Sequence, residues 1–235
     1  MIDIPVKGQL ASWAVARSLE TISIGIKKRK PNTQQLFARI LTDSIISLTF
    51  GNEIVFTNQN LLRSAQNGFS FPKIIPLFRN PMMSIHGIKT LLEIRKLYDR
   101  DLDRENVHIL FSAGLEATSC YLNHHPHAKE LMNNEVGTID FYLKETYFLG
   151  RVSKSKNTQW TCKAVNPHED SSVILNFKDL QSALRGTRGQ IDPLADPALG
   201  NIQVSGRVPL LDKFGFVARI ASREVPTPSN YTHAK

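Results

Sequence analysis

Residues 170–220 read DSSVILNFKDLQSALRGTRGQIDPLADPALGNIQVSGRVPLLDKFGFVARI, and this stretch decides the fold. Val173-Ile174-Leu175 is a short β-branched and apolar run, the length of one buried strand. Phe177, Leu180, Ala183 and Leu184 then recur at helical spacing. A helix opened by Phe177-Lys178-Asp179-Leu180 is expected to end at Gly186. Gly189 to Pro193 combines a glycine, an aspartate and a proline, which is turn chemistry. Asn201-Ile202-Gln203-Val204-Ser205 alternates polar and apolar, the mark of a strand with one buried face. Gly206 and Pro209 punctuate the entry to an apolar helix from Leu210 to Ile220.

Upstream, the apolar period changes from helical to alternating at Glu135. Ile139, Phe141 and Leu143 alternate with Thr138, Asp140 and Tyr142, and Lys144-Glu145-Thr146 is a hairpin-like turn. Tyr147 to Val152 is the return strand, Ser153 to Asn157 a polar turn, and Trp160, Cys162 and Ala164 mark a third strand. Asn166-Pro167-His168-Glu169-Asp170 is the next turn. The spacing predicts an antiparallel meander that feeds the strand, helix, strand and helix of the quoted stretch. Five strands with helices on one face make an α+β layer architecture.

Three pieces of the quoted stretch carry a family resemblance: Ala183-Leu184-Arg185-Gly186, Gly189-Gln190-Ile191-Asp192-Pro193, and Gly200-Asn201-Ile202-Gln203-Val204-Ser205-Gly206. Together they resemble the C-terminal half of the sterol carrier protein 2 (SCP2) family of lipid-binding domains. Members show an apolar helix, a G-x-h-[ND]-P turn (h being apolar), a short helix, and G-x-h-x-h-x-G on the last strand. The chain departs from that pattern at three points. Thr187-Arg188 stands as a small insertion before the turn, Pro197 breaks the short helix that usually precedes the last strand, and Asn201 stands where lysine is common. The resemblance implies a five-stranded, mostly antiparallel sheet with helices on one face. It also implies an apolar tunnel, closed by the last helices, for a sterol, fatty acyl or isoprenoid lipid. No cofactor and no catalytic residue are implied.

Spacing supplies the candidate ligand contacts. Phe177, Leu180 and Leu184 fall on one face of the first helix of the quoted stretch. Leu210, Phe214 and Val217 fall on one face of the second, and Ile191 sits in the turn between them. With both helices on the same side of the sheet, these seven residues surround an apolar cavity. Leu211, Phe216 and Ile220 make the second helix apolar nearly all round, so it is either buried or lines a cavity. The same side chains can equally fill a solid core, which would suit an adaptor or interaction module on the same fold.

The first 130 residues read as a helical region preceding a lipid-binding domain over 131–235. Leu10, Trp13, Ala14, Val15, Leu19 and Ile22 recur at helical spacing over 7–26. Asn32 is placed to cap a second helix through Leu36, Ile40, Ile45 and Leu48, closed by Phe50-Gly51-Asn52. Residues 53–80 carry Phe69, Phe71, Ile74, Ile75, Leu77 and Phe78 among Pro72, Pro76 and Pro81, which suggests a packed loop or short helical turns lining the core, or a lid over a lipid entrance. Residues 82–100 and 105–122 are two more helices.

The chain carries a formal net charge of +8 and a sequence pI near 9.6. The excess is spread over both halves, unlike the concentrated arm of a nucleic-acid binder. One cluster stands out, Lys27-Lys28-Arg29-Lys30. It reads as a solvated helix end favoured by the macrodipole, as a contact with an anionic membrane surface, or as a nuclear-localisation or nucleic-acid patch. Two cysteines, Cys120 and Cys162, make no disulfide framework. With no basic leader and no apolar run of membrane-spanning length, the chain reads as a cytoplasmic protein, peripheral to membranes at most.

Catalytic chemistry is not legible. There is no G-x-S-x-G elbow, no phosphate-binding loop of the Walker type and no G-x-G-x-x-G. His124, His125 and His127 crowd together, but Pro126 predicts a loop that does not hold the rings on one face, so no metal site is expected. His86 beside the proline-rich segment is the residue around which an unrecognised enzymatic site would form.

Overall fold

The structure, a computed structural model, describes residues 7–43, 45–49, 53–66, 81–99, 103–163, 170–188, 190–192 and 194–226. The chain divides into two compact units, one of residues 1–101 with 224–235 and the other of residues 102–223. The division falls ahead of the change of period near Glu135, because a long helix of the second unit precedes its first strand.

The first unit opens with α1 (Lys7–Arg29), whose last turn carries Lys27, Lys28 and Arg29. Leu10, Ala14, Leu19, Ile22 and Ile26 are buried, as the helical spacing requires. Lys30 to Leu36 then turn back along α1. The Leu36 N–H donates to the Ser23 hydroxyl at 2.8 Å, and that hydroxyl donates to the Glu20 carbonyl at 2.7 Å. The helix expected from Asn32 to Leu48 is instead an antiparallel pair, β1 (Phe37–Thr42) and β2 (Ile45–Thr49), to which β3 (Glu53–Thr57) adds as a third strand. Leu36, Ile40 and Leu48 fit a helical period, but Ile40, Thr42, Ile45, Ile46 and Thr49 are β-branched, and such residues favour the pleated conformation. Ile46 and Leu48 are buried on one face of the sheet, with Ile54 and Phe56 of β3. Of residues 53–66, read as a packed loop or short helical turns, 53–57 are instead the strand β3, and the short helix α2 (Asn58–Gln66) follows. The Ser12 hydroxyl donates to the Asn58 carbonyl at 3.0 Å, tying α1 to the start of α2. The aromatic and proline-rich segment proposed as a lid, from Phe69 to Phe78, lies outside the described residues. The unit continues with α3 (Pro81–Asp99).

The second unit begins with α4 (Arg104–His124), capped by the Asp103 carboxylate, which accepts the Asn106 N–H at 2.6 Å. A short α5 (Pro126–Met132) follows. Then come β4 (Gly137–Leu143), β5 (Tyr147–Lys154) and β6 (Thr161–Lys163), the three-stranded meander. Ala164 and the turn at 166–169 lie outside the described residues. β7 (Val173–Phe177) pairs with β4 in parallel and β8 (Ile202–Gly206) pairs with β7 antiparallel. The sheet order is therefore β6-β5-β4-β7-β8. It is mixed, with three antiparallel pairings and one parallel. Between β7 and β8 lie α6 (Leu180–Thr187) and the one-turn α7 (Ala195–Ala198), which Pro197 does not break, and α8 (Val208–Glu224) closes the unit.

Side chains alternate across this sheet as pleating demands. Ile139, Phe141, Leu143, Val173, Leu175 and Phe177 are buried, and Phe141 and Phe177 meet helical side chains. Gly150 of β5 lets α4 come close, since a Cβ there would lie 2.7 Å from Leu115 Cδ1. The alternate face carries Asp140 and Arg151, which are register partners and both buried. The guanidinium grips the carboxylate through Nε at 2.5 Å and Nη2 at 2.6 Å, and the Ser171 hydroxyl also donates to Asp140. The fork geometry and the added hydroxyl offset the loss of hydration that burying two charges entails.

Candidate functional site

The helix proposed to open at Phe177 starts three residues later. Phe177 is the last residue of β7, and the Asp179 carboxylate caps α6 by accepting the Ser182 N–H at 2.7 Å. Phe177 therefore points from the sheet rather than from a helix. Its ring sits edge-on to Phe111 of α4 with centroids 5.4 Å apart. Phe111 in turn lies 5.2 Å from Phe141 of β4, and Phe141 lies 5.7 Å from Phe214 of α8. Four aromatic rings thus run in a continuous row between sheet and helices. Phe111 and Phe141 were legible only as apolar positions of their own elements, since nothing local says that a helix preceding the strands returns to the same layer.

The seven proposed contacts divide by burial. Phe177, Leu184, Leu210, Phe214 and Val217 are buried, while Leu180 and Ile191 are half-buried. Leu210, Phe214 and Val217 share the inward face of α8 with Ala221. Ile191 is placed beside Phe177 by Gly186, where an added Cβ would lie 2.9 Å from the Phe177 ring and 3.2 Å from Ile191 Cδ1. Leu210 and Val217 are 0 % exposed and Phe177 1 % exposed, so no water-sized space touches them. In this state the layer is closed around these side chains, and a ligand there has to displace some of them.

Two polar devices hold the layer. Glu135, just ahead of β4, bonds the Arg207 guanidinium and, at 2.5 Å, the Lys213 ammonium. Arg207 also donates to the Val136 carbonyl at 3.0 Å. The start of α8 is thereby fastened to the start of the sheet. The Lys213 bond lowers the Glu135 pKa against the opposing effect of burial, with Arg207 adding to the lowering. The second device is the turn of Gln190 to Asn201, of which Pro193 lies outside the described residues. Asp192 accepts the Leu194 and Ala195 N–H groups, both at 2.8 Å, and so starts α7. Asp196 receives Arg185 through Nη1 at 2.9 Å and Nη2 at 3.1 Å, Asn201 Nδ2 at 3.0 Å and the Asp192 N–H at 2.7 Å. Burial raises the Asp196 pKa, but the bonds from Asn201, Asp192 and Arg185 outweigh it and the net shift is downward. Asn201, a departure from the SCP2 pattern, is thus part of the turn's own bonding.

The other candidates resolve individually. His125 is buried at the junction of α4 and α5 and stacks on Tyr121, with ring centroids 5.9 Å apart. Pro126 does not make this segment a loop: it stands at the first position of α5, where proline's missing N–H costs nothing. Among the described residues no group of three or more His, Cys, Asp or Glu side chains is placed to hold a metal ion. Cys120 and Cys162 are free thiols, the first buried and the second half-buried. Of the tetrabasic cluster, Lys27, Lys28 and Lys30 are exposed and Arg29 is half-buried. Among the described residues no helix is long and apolar enough to cross a membrane.

No family model matches the chain, and no curated protein does. Among solved structures, one similar chain is the solution structure of a conserved hypothetical protein from Thermus thermophilus, described as possibly a sterol carrier protein. It is 12 % identical, the match covers 56 % of this chain and 94 % of that one, and the TM-score is 0.34. At that score the likeness is distant.

Proposed function

We propose that the unit of residues 102–223 binds a long apolar ligand, a sterol, fatty acyl or isoprenoid lipid, between its sheet and the helices α6 and α8, without covalent chemistry. The observation that carries this reading is the apolar layer itself. Phe177, Leu184, Leu210, Phe214 and Val217 are all buried there, in a layer containing the row of aromatic rings. Leu180 and Ile191 are its half-buried rim. The SCP2-like motif pieces in the sequence support the same assignment. A ligand entering the layer exchanges helix contacts for its own, each buried methylene contributing ~0.8 kcal/mol. Opening by α8 requires release of the Glu135 bonds to Arg207 and Lys213. Lys27, Lys28, Arg29 and Lys30 are the residues through which such a carrier would meet an anionic membrane.

A second reading is a filled core in an interaction module, favoured by the closed state of the layer. Phe214→Trp separates the two. On the lipid reading, native mass spectrometry of the purified protein detects a co-purified lipid. The variant then takes up less fluorescent fatty acid than the wild type. In a solid core, the larger ring overpacks at a cost of about 1–3 kcal/mol. No co-purified lipid and no uptake by the wild type would overturn the lipid reading.

A further inference from the structure

The first unit holds an open cleft of about 560 Å³, within the size range of small-molecule sites. One wall is the connection from α1 to β1, Lys30 to Thr33, and the other is a face of α3. His86, Lys89, Glu93 and Lys96 recur along that face at helical spacing, with Leu92 beside them. The connection is held to α3 from behind: Thr90 Oγ1 accepts the Gln34 N–H at 3.0 Å and donates to the Gln34 carbonyl at 3.2 Å. The Thr33 hydroxyl fixes the turn itself by donating to the Lys30 carbonyl at 2.7 Å. Hydroxyl-to-backbone bonds therefore fix the walls of the cleft, and the Lys30–Glu93 pair joins them.

Three ammonium groups face a single carboxylate there. Lys30 bonds Glu93 at 2.5 Å and Lys96 approaches it at 3.4 Å, so Glu93 holds two cations in place from opposite walls. Those bonds lower the Glu93 pKa, the Lys30 hydrogen bond first and Lys96 after it, against the effect of burial. Lys89 and the His86 ring make no hydrogen bond or ion pair among the described residues. Among the described residues that line it, the cleft thus carries more ammonium groups than carboxylates, with donors on both walls and the apolar Leu92 and Pro31.

We propose that this cleft binds the phosphate group of a small phosphorylated compound or of a phospholipid headgroup, with Lys89, Lys96, Lys30 and His86 as donors and Leu92 against the organic part. Charge-assisted bonds to phosphate oxygens are the strong kind, and a dianion offsets the excess of ammonium groups. The site is independent of the lipid layer of the second unit and stands or falls without it.

The test uses the full chain and two probes. Glycerol 3-phosphate is titrated in one arm, by calorimetry and by NMR of the His86 ring. Vesicles of phosphatidylcholine with or without phosphatidic acid are used in the other. Lys89→Gln should weaken binding roughly fivefold, the upper end for one exposed charge pair. Glu93→Gln, which releases Lys30 and Lys96, should strengthen it. Binding of glycerol 3-phosphate with these responses identifies a soluble ligand. Binding only of vesicles containing phosphatidic acid, with the same responses, identifies a headgroup. Binding of neither probe overturns the proposal. So does binding that Lys89→Gln and Glu93→Gln leave unchanged while substitution of Lys27 and Lys28 abolishes it, which would mean general surface attraction. Melting temperatures of the variants check that the fold is intact.

Discussion

Four carboxylates of the second unit have pKa values below the ordinary range: Glu135, Asp179, Asp192 and Asp196. Each is a fastening: Glu135 on α8, Asp179 on α6, Asp192 and Asp196 on the turn before β8. A carboxylate whose folded pKa is depressed contributes stability above its unfolded value, around pH 4. That contribution is lost as pH falls through the folded value. The unit should therefore be at full strength from about pH 5 upward and weaken below pH 4. Asp196→Asn should lower the melting temperature at pH 7 and flatten its decline in acid, measured by circular dichroism from pH 7 to pH 2. An unchanged acid decline in that variant would show that Asp196 is not among the groups responsible. None of this was legible in sequence, where Asp192 and Asp196 were turn and helix residues, and nothing local says that Arg185 and Asn201 converge on one of them. His86 shows the same limit. It reads as a lone histidine, and only the fold sets it across from Lys30.

At the scale of elements, two helical glycines separate packing from propensity. Gly186 of α6 faces the Phe177 ring, and an added Cβ there would lie 2.9 Å from Cζ of a buried aromatic. Gly114 of α4 faces Thr187, and its added Cβ would meet Thr187 at 3.7 Å, an ordinary contact. Both positions gain about 0.5–1 kcal/mol of helix preference on replacement by alanine. Gly114→Ala should therefore stabilise the unit by that amount. Gly186→Ala should be destabilising, since overpacking costs about 1–3 kcal/mol. Urea unfolding of the two variants checks the sign, and a stabilised Gly186→Ala would show that Phe177 has room to move. The sequence announced these elements well where one period ruled. The alternation from Ile139 to Leu143 and the helical spacing over 82–100 and 105–122 became β4, α3 and α4. It misled over Asn32 to Leu48, where apolar residues fit two periods at once and β-branching, rather than spacing, decided for strands.

For the whole molecule, the layer order follows from connections the sequence does not display. The change of period near Glu135 told that a sheet begins there. It could not tell that α4, earlier in the chain, covers that sheet, nor that β7 returns alongside β4 rather than beyond β6. The seven proposed ligand contacts came from the quoted stretch alone and so missed Phe111 and Phe141, which lie outside it.

That return of β7 bears on the order in which the second unit assembles. β4 and β5 are joined by a three-residue turn, whereas β4 finds β7 only across the whole meander. The turn is itself unfavourable: Lys144 and Glu145 have φ of 52° and 64°, conformations that suit glycine. Short-range pairing is entropically cheaper to close than long-range pairing. The β4–β5 hairpin should therefore be formed in the folding transition state, with β8 joining after it. Glu145→Gly should then accelerate folding with little change in the unfolding rate. Ile202→Ala in β8 should chiefly accelerate unfolding. Stopped-flow chevrons of the two variants would read this directly, and a folding limb slowed by Ile202→Ala as much as its stability falls would place β8 in the nucleus instead. The slow event in making this unit is then the closing of β7 against β4, where the Thr138 N–H donates to the Ser172 hydroxyl at 3.1 Å and the Ser172 N–H to the Thr138 hydroxyl at 2.8 Å.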